Sequence, residues 1–397
     1  DNCGLAAIPV TQSIPAGAYS GVSDGNTIPV TVTVTDAATP ANTTSCTVTF
    51  TVNDDDPPVV TCPPSITINT NAGASCEITI PNYVAMINPI DNCSSTIAET
   101  QTIPAGAYTT GVYHGATISM SYTATDDANP VNSTTCSVVL TVNDDDAPVL
   151  ANPGNQILNT IFNTCAANYT IMDPITDNCV ATWGYTLTGA TFGNASNIPD
   201  GSNSNVISFN KGITNVTLNG VDEGSNTALN VWFTVTVVDS QAPTLTCPSN
   251  QSPTMLPNAC SATYSFADPV YDNCPGATWG FSLTGATTSA SSGIADGASI
   301  NNVTFNVGVT TVTYSGIDAA TNLATACSFN VSVVDNQPPT FSCPTPPLVL
   351  NTTGNNSCEV LIPNLVAMVS PADNCSLAVV PVVQSVAAGV LTGVSHG

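Results

Sequence analysis

An internal repeat constrains this chain more than any other feature of its sequence. Matching prolines recur in steps of 90, 95 and 96 residues, at Pro58, Pro148, Pro243 and Pro339. The segment VNDDDPPVVTCPP at 52–64 returns in related form at 142–154, 237–249 and 333–345. A second marker, the triplet Asp-Asn-Cys, begins at Asp1, Asp91, Asp177, Asp272 and Asp373. Each repeat is therefore interpreted as a copy of one structural module.

The spacing predicts three complete modules and two partial ones. The complete modules span 55–144, 145–240 and 241–336, and the partial modules span 1–54 and 337–397. A module of about 90 residues is long enough to bury its own core. Because the sequence opens inside a repeat, we expect it to be a segment of a longer repetitive polypeptide, with any anchor or export signal elsewhere.

Short runs of β-branched residues alternate with clusters of Gly, Pro, Asn and Asp. Val30, Val32 and Val34 alternate with threonines, the period of two that is typical of a half-buried strand. In the 55–144 module, such runs occur at 59–61, 65–69, 77–80, 117–125 and 136–142. No segment has sustained helical periodicity. The pattern predicts an all-β fold of tandem immunoglobulin-like antiparallel β-sandwich modules, arranged as beads on a string.

The charge of the chain excludes several kinds of partner. One Lys or Arg against 27 acidic residues gives a formal net charge of −26. Nucleic acid is excluded because phosphate binding needs clustered Lys and Arg, and anionic membranes are disfavoured for the same reason. No apolar run approaches the roughly 20 residues of a membrane span, so we expect no membrane insertion in this segment. Divalent cations are expected partners.

One stretch carries a resemblance to a known family. From Asn306 the sequence reads NVGVTTVTYSGIDAATNLATACSFNVSVVDNQPP, with Asp-Asn-Cys upstream and Cys-Pro just after the linker. This resembles the hyalin repeat (HYR) family of immunoglobulin-like extracellular modules, and the resemblance covers all three complete modules and both partial ones. Long bacterial arrays of such modules are similar to giant surface adhesins of Bacteroidota, including gliding-motility adhesins.

The resemblance implies an adhesive or structural segment, extracellular and on a bacterial cell surface, that forms a rigid stalk or filament. Its expected partners are neighbouring modules of the same chain, sister filaments, and surface glycans or proteins. The resemblance implies no chemistry, and no GxSxG, HExxH or P-loop motif is present, so we do not expect an enzyme. The alternatives are a glycan- or protein-binding recognition module and the non-catalytic tail of a secreted enzyme.

The cysteines form a pairing problem. A full module has four: Cys62, Cys76, Cys93 and Cys136 in the 55–144 module. The 145–240 module has Asn152 and Val231 at the first and fourth positions. Because these two outer cysteines are lost together, we predict that the first pairs with the fourth and the second with the third.

The predicted bridges are Cys62–Cys136, Cys76–Cys93, Cys165–Cys179, Cys247–Cys327, Cys260–Cys274 and Cys358–Cys375. This leaves Cys3, Cys46 and Cys343, whose partners we expect outside the sequence. Zinc is disfavoured because no CxxC motif occurs. Disulfides indicate an oxidising compartment outside the cytoplasm.

Acidic residues cluster at the linkers between modules. Like charges this close repel unless water or an ion screens them, and calcium binds six to eight oxygens in flexible sets. The loop before the last strand should return to the same pole of the sandwich as the linker. We therefore predict calcium at the module junctions, with ligands from Asp54, Asp55, Asp56, Asp126 and Asp127, and from Asp144, Asp145, Asp146 and Asp222.

The position of Asp91 relative to these residues stays open. The later junctions keep fewer acids, namely Asp239, Asp318 and Asp335. The alternative interpretation is a solvated acidic linker that binds nothing tightly.

The histidines and tryptophans are interpreted as structural residues. His114 and His396 occupy one repeat position, which Asp24 fills in the first partial module, and a Gly follows each of them. They are therefore interpreted as turn residues. Trp183 and Trp279 are predicted to pack in the core, as is Trp232 in the last strand. Exposure of Trp183 and Trp279 beside a groove would instead favour glycan binding.

Overall fold

The computed structural model describes residues 8–73, 75–345, 349–353, 358–375 and 380–394. Cys3 and His396 lie outside the described residues. Nearly all of the regular secondary structure in the described chain is β-strand, which confirms the all-β prediction.

The strands follow the sequence repeats. Residues 8–53 form β1 (Val10–Gln12), β2 (Thr27–Thr35) and β3 (Thr43–Thr51). The 55–144 repeat forms β4 (Ile66–Asn69), β5 (Ile78–Ile80), one helical turn α1 (Tyr83–Met86), β6 (Ala98–Gln101), β7 (Gly106–Tyr108), β8 (Thr117–Thr125) and β9 (Ser133–Asn143). The 145–240 repeat forms β10 (Val149–Leu150), β11 (Gln156–Asn159), β12 (Ala166–Tyr169), β13 (Ile175–Thr176), β14 (Ala181–Gly189), β15 (Gly193–Pro199), β16 (Ile207–Asn210), β17 (Gly212–Asp222) and β18 (Val231–Val238).

The remaining repeats continue the series. The 241–336 repeat forms β19 (Thr244–Leu245), β20 (Ser261–Phe266), β21 (Val270–Tyr271), β22 (Thr278–Gly285), β23 (Ser289–Ala295), β24 (Ile300–Asn306), β25 (Gly308–Ile317) and β26 (Cys327–Val333). The last partial repeat forms β27 (Glu359–Ile362), a 3-10 turn (Val366–Met368) and β28 (Gly389–Thr392).

Four of the five β-branched runs of the 55–144 repeat contain strands, namely β4, β5, β8 and β9. The run at 59–61 forms only an isolated bridge between Val59 and Ile90. Prolines flank this run on both sides, and a proline has no backbone N–H to donate to a sheet.

The chain divides into two compact units that do not follow the repeat boundaries. The first contains Asp1–Asn155, Thr170–Ile207 and Thr214–Thr234. The second contains Gln156–Tyr169, Ser208–Ile213 and Val235–Gly397. The 145–240 repeat contributes to both.

In the first unit, the 55–144 repeat is a two-sheet sandwich. One sheet has the order β4-β9-β8-β6, with β4 parallel to β9, and the other pairs β5 with β7. Burial alternates along β8 and β9, as the period of two predicts, so that Tyr122 and Leu140 are fully buried. Ile78 and Ile80 from the second sheet complete the same core. The buried Tyr122 hydroxyl donates to Glu99 Oε2 (2.6 Å).

The same unit contains a long hairpin of β2 and β3 and the strand β14, which pairs with both β15 and β17. Trp183 lies on β14, is 1% exposed, and donates from Nε1 to the carbonyl of Ser202 (3.2 Å). Gly184 follows at a bulge between β14 and β15, where a Cβ atom would lie 2.5 Å from the carbonyl oxygen of Ala195.

In the second unit, the 241–336 repeat has a sheet of order β23-β22-β25-β26 and a second sheet of β20 and β24. Phe266 lies at the centre of its core, in edge-to-face contact with Phe281 (ring centroids 4.8 Å apart) and with Tyr314 (5.7 Å). Trp279 is 1% exposed in the same core. Elsewhere in this unit β11 runs parallel to Val235–Val238, and β27 pairs with β28.

Replacement of Gly184 by Ala tests the close approach of β14 and β15. The added methyl group must displace the backbone of Ala195, so we expect the free energy of opening β14 to fall by about 2 kcal/mol. Native-state hydrogen exchange of the β14 amides measures this quantity. Gly193→Ala is the matched control, since its methyl group would meet only Leu187 Cδ1 at 3.7 Å. Equal effects of the two substitutions would contradict the assignment.

Candidate cation sites at the module junctions

Three aspartates that are distant in sequence meet at each of three junctions. One comes from the linker, one opens an Asp-Asn-Cys triplet, and one lies at the end of a long strand. The groups are Asp54 with Asp91 and Asp126, Asp144 with Asp177 and Asp222, and Asp239 with Asp272 and Asp318. In each group, one oxygen from every carboxylate lies within 4.8 Å of the others. We call these the junction groups.

An asparagine fixes the strand-end aspartate in each group. Asp126 accepts the backbone N–H of Asn132 (2.7 Å) and its Nδ2 amide (2.9 Å). The same Nδ2 also donates to the backbone carbonyl of Asp54 (3.2 Å), which ties the turn after β8 to the linker. The pKa of Asp126 is lowered, because the hydrogen bonds from Asn132 outweigh the effect of burial.

The other two groups repeat this arrangement. Asn226 Nδ2 donates to Asp222 Oδ2 (2.9 Å) and to the carbonyl of Asp144 (3.0 Å). Asn322 Nδ2 donates to Asp318 Oδ2 (2.8 Å) and to the carbonyl of Asp239 (3.2 Å). The network is therefore a property of the repeat.

Each group contains a carboxylate oxygen that is buried without a hydrogen-bond partner among the described residues. These oxygens are Asp91 Oδ2, Asp144 Oδ2 and Asp272 Oδ1. The other oxygen of Asp91 accepts the N–H of Cys93 (2.8 Å). Asp144 is only 2% exposed. An ionised oxygen that is buried without a donor is costly, and a cation is one kind of ligand that would satisfy it.

The carboxylates in a group also act on one another. Burial raises the pKa of Asp177, and the charges of Asp144 and Asp222 raise it further. Burial likewise raises the pKa of Asp272, together with the charges of Asp239 and Asp318. Lys211 is the chain's one Lys or Arg, and its Nζ lies 3.1 Å from Asp239 Oδ2.

The rest of the Asp-Asn-Cys triplet binds the preceding repeat. Asn178 Nδ2 donates to Thr70 Oγ1 (3.1 Å), and Cys179 forms a disulfide with Cys76. At the next junction Asn273 Nδ2 donates to the carbonyl of Thr164 (2.9 Å), and Cys274 is bonded to Cys165. We call the triplet with these contacts the junction clasp.

A third junction clasp follows the same plan. Asn374 Nδ2 donates to the carbonyl of Ala259 (3.0 Å), and Cys375 is bonded to Cys260. Here Asp335 and Asp373 lie close to the Cys375 sulfur, which the disulfide removes as a thiolate ligand.

The structure corrects four of the predicted disulfides. Cys76–Cys93, Cys165–Cys179, Cys260–Cys274 and Cys358–Cys375 are wrong. The observed bridges are Cys76–Cys179, Cys165–Cys274 and Cys260–Cys375, each from the second cysteine of one repeat to the third cysteine of the next. The other two predicted bridges, Cys62–Cys136 and Cys247–Cys327, are present in the structure.

Strand length explains the correction. Strand β9 has 11 residues, and at about 3.3 Å per residue it separates the two poles of the module by roughly 30 Å. Cys93 lies at the pole where β9 begins, since the neighbouring Ser94 contacts Asp54. Cys76 lies at the pole where β9 ends, beside the Asn71–Glu77 turn. Their Cα atoms therefore cannot approach within the roughly 7 Å that a disulfide requires.

Four cysteines of the described chain have no disulfide, namely Cys46, Cys93, Cys343 and Cys358. Burial raises the pKa of the Cys93 thiol, and the charges of Asp54 and Asp91 raise it further.

The predicted cation ligands divide into two sets. The structure brings Asp54 together with Asp126, and Asp144 together with Asp222. The other predicted ligands lie outside the junction groups, namely Asp55, Asp56, Asp127, Asp145 and Asp146. Neighbouring side chains of an extended linker point to opposite sides, so Asp55 and Asp145 are exposed.

Two of the excluded linker acids bind the asparagine of the triplet instead. Asp56 Oδ2 accepts Asn92 Nδ2 (2.9 Å), and Asp146 Oδ2 accepts Asn178 Nδ2 (3.1 Å). The Asp-Asn-Cys aspartates Asp91, Asp177 and Asp272 are the group members that the sequence did not assign. Their presence at one position of every repeat was the available signal.

The tryptophans also divide. Trp183 and Trp279 are buried as predicted. Neither residue therefore presents the exposed ring that would have favoured glycan binding at its position. Trp232 is 67% exposed, so its predicted packing is wrong. Its neighbour Phe233 occupies the inward-facing position on β18, and adjacent strand residues face opposite sides of a sheet.

These features define a class of protein: tandem β-sandwich modules that are linked across their junctions by disulfides and that bring aspartates together there. Residues 238–333 match the model of the HYR domain family. The chain is also 35% identical over 140 residues to hyalin of Strongylocentrotus purpuratus. That match covers 34% of this chain and 10% of hyalin, so the chain spans about a tenth of its relative.

Several solved structures are similar in part. Drosophila N-cadherin EC1-4 is 13% identical, with a TM-score of 0.27 over 79% of this chain and 85% of that chain. Mouse cadherin-23 EC22-24 is 17% identical, with a TM-score of 0.27 over 71% of this chain and 100% of that chain. No helix among the described residues is long and apolar enough to cross a membrane.

Peptide mapping without reduction tests the junction clasp directly. Digestion with an acid-specific protease should give one cross-linked product that contains Cys76 and Cys179, and another that contains Cys165 and Cys274, because these pairs are bonded across junctions. Mass spectrometry identifies both. Because no acidic residue lies between Cys62 and Cys76, the fragment that contains Cys136 should belong to the same cross-linked product as Cys76 and Cys179, and its presence there is the internal control. A product that joins Cys76 to Cys93 would refute the assignment.

Proposed function

We propose that this chain is a segment of a long extracellular adhesive filament on a bacterial surface, in which calcium ions at the junction groups stiffen the array. The HYR match and the similarity to hyalin support an extracellular adhesion-type repeat. The five disulfides fit a secreted protein. The resemblance to giant bacterial adhesins supports the placement on a bacterial surface.

The unpartnered, buried Oδ2 of Asp144 carries the calcium proposal. It lies in a group of three carboxylates, and within the described chain no Lys or Arg lies beside this group. Two oxygens that bind one calcium ion at 2.3–2.6 Å are at most about 5 Å apart, and the junction groups meet this limit. When bound, the ion would offset the repulsion and desolvation of the buried carboxylates.

The junction clasp supports a stiff array. Consecutive repeats are joined by the linker backbone and by a separate disulfide, as at Cys76–Cys179. A single linker leaves rotation about its backbone bonds, whereas a second covalent connection restricts that rotation. An ion held by Asp144 from the linker and Asp177 from the triplet would restrict it further.

Thermal melting tests the calcium proposal. We expect the melting temperature of the full chain to rise by about 5 °C or more in saturating calcium relative to chelator, because ligand binding to the folded state stabilises it. The double substitution Asp144→Asn and Asp177→Asn should remove part of this rise. Asp127→Asn is the matched control, since Asp127 is exposed and lies outside the junction groups. Identical melting curves with calcium and chelator would contradict the proposal.

A second candidate function rests on the exposed face of the 145–240 repeat. Trp232 and Leu229, which are 67% and 90% exposed, line an open recess of 650 Å³ with Asn219 and Asn230. None of the described residues that line this recess is charged. In the 241–336 repeat the matching residues are Ser315, Thr325, Ala326 and Ser328. A tryptophan face beside two amides suits a neutral saccharide, whose C–H face stacks and whose hydroxyls hydrogen-bond.

A residue exchange between sister repeats tests this surface. Trp232→Ser with Leu229→Thr installs the residues of the 241–336 repeat on a matching scaffold, so the fold should tolerate it. We expect the full chain to bind neutral polysaccharides in preference to acidic ones, and the variant to lose about tenfold or more in affinity. Phe192→Ser, which removes an exposed aromatic residue outside the recess, should leave binding intact. Unchanged binding by the exchanged variant would exclude this surface.

A further inference from the structure

One repeat position faces the linker aspartate of every junction group, and its residue changes from repeat to repeat. It is the residue immediately before a glycine. That glycine either begins a long strand of the sheet or lies just before one. It holds Asp24, His114, Lys211 and Val307 in successive repeats. The first three contact the linker aspartates Asp54, Asp144 and Asp239 respectively. We call this the pre-glycine position.

At the first junction the pre-glycine residue adds negative charge. Asp24 Oδ1 accepts the backbone N–H of Asp54 (3.0 Å), and Asp24 Oδ2 accepts the N–H of Asn129 in the next repeat (3.2 Å). A fourth carboxylate therefore lies beside the group of Asp54, Asp91 and Asp126. Each additional carboxylate makes the local potential more favourable for a cation.

At the second junction the pre-glycine residue brings neither a carboxylate nor an ammonium group. His114 Nδ1 accepts the backbone N–H of Asp144 (3.1 Å), so this ring nitrogen presents a lone pair to the linker aspartate. The group keeps its three carboxylates without addition or compensation.

At the third junction the pre-glycine residue supplies a positive charge of its own. Lys211 Nζ lies 3.1 Å from Asp239 Oδ2, and the Asp239 side chain is fully buried. This ammonium group compensates one of the three carboxylates and occupies an oxygen that a metal ion would use. A bound cation would also be repelled by it.

We infer that the pre-glycine residue grades the calcium affinity of successive junctions, so that the group at Asp54 binds most tightly, the group at Asp144 less tightly, and the group at Asp239 most weakly. This inference rests on the proposed calcium function and adds an order to it. As calcium falls, the junctions would loosen in sequence from the Asp239 group to the Asp54 group. One scaffold thereby gives junctions of different stiffness at a single calcium concentration.

Site-resolved calcium titration of the full chain tests the order. The backbone amides of Cys93, Cys179 and Cys274 each donate to the triplet aspartate of one group, so their hydrogen exchange reports each junction separately. Exchange measured by mass spectrometry over a series of buffered free calcium concentrations gives three midpoints. We expect the lowest midpoint at Cys93 and the highest at Cys274.

Substitutions at the pre-glycine position separate charge from packing. Lys211→Met removes the charge but keeps an unbranched chain, and it should lower the Cys274 midpoint by about tenfold or more. Lys211→Arg keeps the charge and should leave that midpoint high. His114→Lys should raise the Cys179 midpoint by a similar factor, which provides a second test if Lys211→Met fails to fold.

The outcomes distinguish this inference from the function on which it rests. Absence of calcium-dependent protection at all three amides would overturn the calcium proposal itself. Protection with three equal midpoints that neither Lys211→Met nor His114→Lys shifts would overturn the grading alone.

Discussion

Mutual repulsion among buried carboxylates is the constraint around which each junction is built. Three carboxylates converge within 4.8 Å in a chain that has a single Lys or Arg. The protein holds them there with amide donors, chiefly Asn132, Asn226 and Asn322. These asparagines satisfy the strand-end aspartate and at the same time fix the linker backbone. The protein's own hydrogen bonds therefore fix the geometry of the junction, which under the proposed function would lower the cost of ordering the carboxylates around an ion.

The sandwich explains why one short triplet can serve two repeats. Because β4 runs parallel to the end of β9, the loop after β4 is carried to the pole where the linker leaves the module. Thr70 and Cys76 lie on or beside that loop, where Asn178 and Cys179 of the next repeat contact them. The aspartate, asparagine and cysteine of the triplet thus have separate roles within three residues. The aspartate joins the acidic group, the asparagine donates across the junction, and the cysteine bonds covalently.

Much of this architecture could be predicted from the sequence, and the failures have physical causes. The period-two runs identified β8 and β9 because each has one buried face. In the 145–240 repeat, Asn152 and Val231 replace the first and fourth cysteines together, and this joint replacement identified the outer bridge. The inner bridges could not be found in this way, since in a periodic chain a pairing within one repeat and a pairing with the next use the same number of cysteines per repeat. Distance decides between them, and distance depends on the length of β9.

The acidic groups show the same division. The linker and strand-end aspartates could be assigned because both precede or follow recognisable strands. Asp91 lies in an irregular loop, and the predicted bridge from Cys93 to Cys76 gave no correct indication of the pole at which that loop lies. Trp232 was misplaced because it adjoins Phe233, and the sequence does not say which of two adjacent large residues faces inward.

The inter-repeat bridges also have a topological consequence. The pairs Cys76–Cys179, Cys165–Cys274 and Cys260–Cys375 close three covalent rings, and each ring overlaps the next. Every peptide bond from Cys76 to Cys375 lies inside at least one ring. A single cut anywhere in that span leaves the two ends of the polypeptide attached to each other, because a bridge still joins the residues on either side of the cut. Two cuts within one ring release at most the fragment between them. Separation of the ends therefore also requires a reductant that opens the bridges around a cut, or further cuts in the neighbouring rings.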